Sequence, residues 1–305
     1  ATGRFIGAIV SEGCVHGNQV KFDNSDFEWL TTIIDDFSSA TDMKTFRRKY
    51  VQTGIGTKPM MFCGTSDKTF AEWVTKYFGR TSHNKTLPGW ILDAPEDFVT
   101  GLLQTFYDGD GNVDCKSGHH QIRCHTVSDD LAIMLSLCLA RFGIPTYHGK
   151  EYYMTPDEKK TGIIQTDNGE KRQINRITIP LCFAAKFQEK IGFSVDYKVE
   201  RLKTLVDRQE TKNNPLYNFQ TWIPGMNEVL EEIRSYIPCG GNKNSYETLL
   251  RKEYRRIQRK KGITPNMLMR CKEQAIKFNA PQHLIEELDY AINADVWWDP
   301  IVSIE

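Results

Sequence analysis

Glu12 and Asp110 are the residues whose type and setting could do chemistry. Each ends an apolar stretch that reads as a helix, and each is followed by glycine: Phe5-Ile6-Gly7-Ala8-Ile9-Val10-Ser11-Glu12-Gly13 and Leu103-Gln104-Thr105-Phe106-Tyr107-Asp108-Gly109-Asp110-Gly111. Carboxylates placed side by side at two helix C-termini would repel each other and the negative dipole ends behind them. A divalent cation removes that penalty, because hard oxygen ligands and dipole ends both favour it. The backbone carbonyls of Ser11 and Gly109, one residue before each acid, are expected to complete the ligand set. A metal held there can activate water and neutralise charge at a phosphodiester. The expected ion is Mg²⁺, for which Ca²⁺ can substitute as another hard cation.

Two helices must bring the acids together. Gly7 and Ser11 share one helix face, and so do Thr105 and Gly109. Small residues at that spacing let two backbones approach closely. Phe5, Ile9, Val10, Leu102, Leu103 and Phe106 would seat each helix in its own half of the molecule. A glycine C-cap with an acid exposed by chance would explain either stretch alone, but not two matched copies. A calcium loop starting at Asp108 fails at its strictest positions: the sixth residue is Val113 instead of Gly, and the twelfth is His119 instead of Glu.

These residues resemble the LAGLIDADG homing endonucleases. The nine-residue motif of that family maps onto Phe5–Gly13 and Leu103–Gly111, with Glu12 and Asp110 on its metal-binding eighth position. The second copy departs at its third position, where Thr105 replaces the usual glycine. The segment Lys85-Thr-Leu-Pro88 is similar to one lying between the two motifs in inteins that carry such endonucleases. That resemblance implies a role for Lys85 in assisting cleavage; a solvated linker lysine is the alternative. Asp295-Val-Trp-Trp-Asp-Pro-Ile-Val-Ser-Ile-Glu305 is similar to the point where an intein resumes its splicing half. Ala1 cannot be a splicing nucleophile and no terminal His-Asn is present, so the resemblance covers the endonuclease insert and not splicing.

Composition sets bounds. With 305 residues there is room for two domains, and 40% apolar with 26% charged residues are globular values. No apolar run is long enough to span a bilayer and no signal peptide is visible, so an intracellular protein is expected, cytoplasmic or nuclear according to host. Lysines and arginines (39) balance aspartates and glutamates (39), so nucleic-acid binding must come from local patches. The eight cysteines form no CxxC pair and read as reduced thiols.

Along the chain the order helix, hairpin, helix, hairpin, helix appears twice. In the first copy Cys14–Phe22 is a hairpin. Asn24, Ser25 or Asp26 caps a helix to about Phe37. Lys44–Gln52 and Thr57–Gly64 form a second hairpin, and Ser66 caps a helix to Phe78. In the second copy Asn112–Cys115 and Gln121–Thr126 are strands, and Ser128 caps a helix to Phe142. Thr146–Met154 and Arg172–Pro180 form the second hairpin, and Leu181–Ile191 is the closing helix. Two-stranded ribbons fit the major groove, and Lys44, Arg47, Lys49, Gln121, Arg123, His125, Gln173, Asn175 and Arg176 are expected to face DNA. Cys115, His119, His120, Cys124 and His125 match no usual zinc spacing.

Tyr197–Arg208 reads as a helix docked on the second copy. Beyond the break at Cys239-Gly-Gly, Ser245 caps a helix over Tyr246–Lys261. Seven of the eleven residues from Arg251 to Lys261 are basic. Arg251, Arg255, Arg256, Arg259 and Lys260 are expected to contact the phosphate backbone, since so many like charges need an anion. Gly262-Ile-Thr264-Pro265 ends that helix and caps the next, and Gln282–Asn293 completes a helix-turn-helix-like bundle.

The expectation is therefore an α+β protein: two pseudo-symmetric αββαββα LAGLIDADG repeats (residues 1–92 with linker, and 93–195) forming a saddle of two antiparallel sheets, and a C-terminal helical subdomain (196–305). The resemblance implies a monomeric, site-specific, metal-dependent double-strand DNA endonuclease. The alternative is an inactive DNA-binding scaffold of the same fold, or an RNA maturase.

Overall fold

The computed structural model describes residues 1–51, 59–115, 120–152, 173–211, 223, 225–237 and 263–294. Packing divides the chain into two compact units, 1–215 and 216–305. The first unit opens with α1 (Thr2–Glu12), followed by strands β1 (Gly13–His16) and β2 (Gln19–Asn24), α2 (Phe27–Thr41), β3 (Thr45–Val51), β4 (Pro59–Ser66) and α3 (Lys68–Phe78). The sequence then repeats with α4 (Glu96–Asp110), β5 (Asn112–Asp114), β6 (Gln121–Thr126), α5 (Asp129–Arg141), β7 (Tyr147–Tyr152), β8 (Gln173–Pro180) and α6 (Ala184–Lys190). Helix α7 (Asp196–Thr211) follows. It buries Leu202 and Leu205 in the same core and packs on α6 and β5, so the break in packing comes after α7.

Each repeat builds one four-stranded antiparallel sheet, β1-β2-β4-β3 and β5-β6-β8-β7. The two orders correspond strand for strand, as the repeated sequence pattern requires. Helices cover one face of each sheet. Alternation sends Val20, Phe22, Met61 and Cys63 inward in the first sheet and Ile122, Cys124, Ile177 and Ile179 inward in the second. Local caps fix where the helices begin. Asp26 accepts from the Trp29 amide at the start of α2, and Ser128 accepts from the Leu131 amide at the start of α5. The cap of α3 is Asp67, one residue after the expected Ser66, accepting from the Phe70 amide at 2.7 Å.

The second unit holds α8 (Asn227–Tyr236), α9 (Pro265–Lys277) and α10 (Gln282–Asn293), packed around Leu230, Ile233, Leu268, Cys271, Leu284 and Leu288. Thr264 caps α9 and Pro265 opens it, as the sequence indicates. The sequence pattern gives no expectation for α8, whose apolar positions are few. The basic stretch Arg251–Lys261 lies outside the described residues, as do 153–172 and the terminal segment 295–305. No described helix is long and apolar enough to cross a membrane.

Candidate functional site

Helices α1 and α4 pack against each other along their whole length, and they run parallel. A Cβ on Gly3 would lie 2.2 Å from the Phe98 carbonyl oxygen, and one on Gly7 would lie 2.3 Å from that of Leu102. One on Gly109 would meet Ser11 Oγ at 2.7 Å and Glu12 Cγ at 3.2 Å. Contacts therefore ascend together from Gly3–Phe98 to Ser11–Gly109, and the two C-terminal ends abut. Thr105, in place of the glycine found at Gly7, is buried with its Cβ toward Gly7. One glycine at that level is enough for the backbones to close.

The abutting ends carry Glu12 and Asp110, both partly buried. Burial and then the charge of Asp110 push the Glu12 carboxyl up to about 7, against the opposing pull of Lys85. Burial likewise raises Asp110 to about 6, with Lys85 and Lys198 pulling the other way. Asn24, at the end of β2, donates to Glu12 Oε1 at 3.2 Å.

Two buried lysines flank the pair. Lys85 follows the short turn Ser82–Asn84, and only 9% of it is exposed. Its Nζ donates to the Ser11 carbonyl at 2.6 Å. Burial lowers its pKa, while Asp110 and Glu12 oppose the shift. The solvated linker lysine considered from sequence is thus a buried group at the end of α1. Lys198, in the first turn of α7, occupies the matching place at the end of α4. Its Nζ donates to the carbonyls of Tyr107 at 3.0 Å, Asp108 at 2.5 Å and Gly109 at 3.4 Å. Burial lowers its pKa to about 8, with Asp108, Asp110 and Glu12 holding it up. Sequence reasoning passes over Lys198 because it lies in a helix with no motif around it. Its signal is positional: a lysine following the last helix of repeat two, as Lys85 follows the last helix of repeat one.

The donor set suits a hard divalent ion: two carboxylates, and the Ser11 and Gly109 carbonyls one residue before them. Burial, and for Glu12 the neighbouring Asp110 charge, favours the protonated forms of the carboxyls, which is the cost a cation between them would relieve. The same carbonyls receive the lysine ammonium groups, which place positive charge where the helix dipoles are negative.

Register separates the sheet residues expected to share one face. Gln121, Arg123 and His125 do share the outer face of the second sheet, and Arg176 pairs with His125 on that face. Arg123 meets Asp114 at 3.7 Å, while Glu151 takes both Arg176 and His125, the latter at 3.3 Å. Asn175 and Gln173, one residue out of phase with Arg176, fall on the helix-facing side. Asn175 there donates to Asp129, the first residue of α5, at 2.7 Å. In the first sheet Arg47 and Lys49 pair with the inward Cys63 and Met61. Arg47 forms an ion pair with Asp35 of α2, and Lys49 Nζ lies 4.9 Å from the Phe27 ring centre. Their neighbour Arg48 points outward instead, with Phe46, Tyr50 and Phe62. Lys44 is exposed just before β3. Cys124 is buried under the second sheet while His125 lies on its outer side, so the two face apart.

With two matched repeats and an acid at each helix end, comparison with known proteins becomes informative. Residues 97–192 match the family model of the LAGLIDADG-like domain. Over this third of the chain it is similar to a LAGLIDADG-like domain. This match spans α4 to the end of α6, so it contains Asp110 and the whole second sheet. Among curated proteins, the chain is 27% identical to DNA-directed RNA polymerase subunit Rpo1C of Methanocaldococcus jannaschii, over 99% of this chain and 32% of that protein. It is 26% identical to a DNA gyrase subunit of Mycobacterium kansasii, over 66% of this chain and 33% of that protein. The chain thus spans about a third of the length of these relatives. Similar solved structures include the homing endonuclease I-DmoI, in complex with DNA and Ca: 10% identity, 67% of this chain and 96% of that one, TM-score 0.43. Full-length DUF199/WhiA is 13% identical over 97% of this chain and 92% of that one, TM-score 0.42.

Proposed function

We propose that this chain is a site-specific, metal-dependent DNA endonuclease that cuts both strands of a long duplex target. The observation that carries the reading is the acid pair at the abutting ends of two parallel helices, with a buried lysine at each end. Two carboxyls packed together and partly buried carry a cost that a bound divalent ion relieves, and phosphodiester hydrolysis is chemistry that such an ion supplies.

Glu12 and Asp110, with the carbonyls of Ser11 and Gly109, would hold the divalent ion, taken to be Mg²⁺. When bound, the ion supplies charge neutralisation and an acidified water at the phosphorus. The remaining work falls to side chains. Lys85 and Lys198 each present an ammonium beside one acid, where a scissile phosphate gains negative charge as water attacks and the P–O bond breaks. Lys198, held at about 8, can also surrender a proton near neutral pH, which an ordinary lysine does not do. Helix packing keeps these groups fixed before the duplex arrives. The outer sheet faces, with Gln121, Arg123, His125 and Arg176 on the second, would read base edges. Arg251, Arg255, Arg256, Arg259 and Lys260 would extend the footprint over phosphates, with affinity falling as salt rises. A single chain with both repeats suffices, so the protein acts as a monomer.

We further infer that the chain is the endonuclease part of an intein. The relatives are unlike proteins, one a subunit of RNA polymerase and one of gyrase, yet each is matched over about a third of its length. A shared segment inside unlike hosts supports an inserted element more readily than any of the hosts' own activities.

The test is cleavage of a randomised duplex library with Mg²⁺, followed by sequencing of the cut ends. One enriched long site with staggered ends is expected. Enrichment by binding without cutting would replace this reading with the inactive-scaffold one. Binding confined to RNA would replace it with the maturase one.

A further inference from the structure

Asp108 is a buried carboxylate, 5% exposed, that the acid-pair chemistry does not use. It lies on the flank of α4 in its last turn, two residues before Asp110. Three donors converge on it. Oδ1 accepts from the Ser194 amide at 2.9 Å. Oδ2 accepts from Ser194 Oγ at 2.5 Å and from Trp29 Nε1 at 3.3 Å. Ser194 belongs to the turn that links α6 to α7, and Trp29 to the first turn of α2 in the other repeat. The carboxylate therefore ties together three elements from both repeats.

What the tie positions is Lys198. The turn leads straight into α7: the amides of Lys198 and Val199 donate to the Val195 carbonyl at 2.9 and 3.0 Å. Fixing Ser194 fixes the start of α7, and with it the stem of Lys198. The Lys198 Nζ then returns to the backbone of the same segment, donating to the Asp108 carbonyl. Side chain and main chain of one residue thus hold the two ends of a short loop that closes on the lysine.

The first repeat lacks this device. Val10, the residue matching Asp108, is buried and apolar. The tie from the opposite repeat to the Lys85 main chain is a neutral bond instead, with Ser128 Oγ donating to the Lys85 carbonyl at 2.6 Å. In each half the opposite repeat's second helix takes part: Ser128, the N-cap of α5, bonds the Lys85 carbonyl directly, whereas Trp29 of α2 reaches Asp108. Only in one half is the contact a carboxylate with three donors. Bonds to an ionised acceptor are about twice as strong as neutral ones, so the two lysines are held with unequal stiffness.

We propose that Asp108 is a positioning residue that holds Lys198 against the end of α4 and so governs cutting of one strand of the duplex selectively. This rests on the endonuclease reading above. Asp108→Asn keeps the shape but replaces an accepting oxygen with a donating NH₂, which faces donors at Ser194 and Trp29. The experiment is single-turnover cleavage of a supercoiled plasmid carrying the selected site, resolving nicked from linear product. Wild-type protein is expected to linearise the plasmid with little nicked intermediate. For Asp108→Asn, nicked circles are expected to accumulate, one labelled strand being cut roughly 10- to 100-fold more slowly and the other within about twofold of wild type. Binding in Ca²⁺ is expected to be unchanged. Ser194→Ala, which removes one of the three donors, is expected to shift the partition in the same direction by less. Asp108→Asn combined with Lys198→Met is expected to be no slower than Lys198→Met alone, since residues acting as one unit are non-additive.

Equal slowing of both strands, or additive losses in the double variant, would overturn the proposal by reducing Asp108 to a structural group. If Asp108→Asn fails to fold, Ser194→Ala decides on the same strand partition. A wild-type chain that cuts no duplex at all would fail the endonuclease reading itself. A wild-type chain that cuts, with no strand asymmetry in either variant, fails this proposal alone.

Discussion

The outer faces of the two sheets have the same strand order and different side chains, with aromatic rings central on the first alone. On the first, Phe62 sits at the centre of a ring cluster, 6.0 Å from Phe46 and 5.8 Å from Tyr50 between ring centres. Lys21 Nζ lies 5.6 Å from the Phe62 ring centre, and the Tyr50 hydroxyl donates to Asp23 at 2.7 Å. On the second, the same positions hold Gln121, Arg123, His125 and Arg176, with Asp114 and Glu151 pairing the cations. Topology has been kept while the surface has diverged. Interior positions answer to packing, which both repeats share, whereas outer positions answer only to what each half meets. The helix seam shows the converse. There Gly7 faces Thr105, and the acids Glu12 and Asp110 remain matched because both ends share one site.

The largest expected effect lies at the acid pair. Glu12→Gln and Asp110→Asn are each expected to reduce cleavage by on the order of 10³-fold or more, with DNA binding in Ca²⁺ largely retained. Unchanged cleavage by Asp110→Asn would rule out the paired mechanism. A smaller effect is expected at the lysines. Lys85→Met and Lys198→Met should each slow cutting by roughly 10²-fold, and labelled strands should show which end each serves. If both variants slowed the same strand, the two ends would not be equivalent.

At the seam, Gly7→Ala should cost about 1–3 kcal/mol, because its new Cβ meets the Leu102 carbonyl, which is backbone and cannot give way. Thermal denaturation should show a fall in Tm of about 2–4 °C per kcal/mol. Thr105→Gly should be tolerated far better, since it removes atoms from a seam already closed.

The pH dependence follows from the same site. Glu12, at about 7, and Asp110, at about 6, sit above their ordinary values, so the metal-free fold takes up protons that the unfolded chain has released. That stabilisation is complete below about pH 4 and is lost as pH rises through 6 to 7. Lys198, lowered to about 8, works in the other window: its contribution is present above about 10.5 and is lost as pH falls through 8. Metal binding must expel the carboxyl protons, so Ca²⁺ should raise Tm more at pH 7.5 than at pH 5.5. A shift of equal size at both values would argue against ligation by this pair.

The smallest effects separate the two sheet faces. Arg176→Ala should weaken DNA binding modestly, and it should flatten the salt dependence by about one counterion if the guanidinium meets phosphate. Phe62→Ala should weaken binding without changing the salt slope. Titration at several salt concentrations distinguishes them.

The sequence already carries the repeat, the helix pairing and the acids. A spacing of four between Gly7 and Ser11, and between Thr105 and Gly109, is local information, and helical geometry turns it into a face. Caps are equally local, which is why Ser128 and Thr264 are readable, Asp26 is one of three adjacent candidates, and Ser66 misses by one residue. Facing in the sheets was less legible. Arg47, Arg48 and Lys49 are adjacent and all basic, so composition cannot choose among them. Only the pairing of Arg47 with Cys63 and of Lys49 with Met61 sets the phase, and a slip of one residue reverses every side chain.

What the sequence determined by itself, then, is whatever depends on neighbours along the chain: two amphipathic helices, their small-residue faces and the acids at their ends. The tertiary structure decided what depends on distant segments meeting. It buried Lys85 on the Ser11 carbonyl and brought Lys198, far from any motif, to the Gly109 carbonyl. It also closed the Ser194 turn on Asp108. No spacing encodes these contacts, because a charge takes its partner from the fold and its pKa from the burial that only the fold creates.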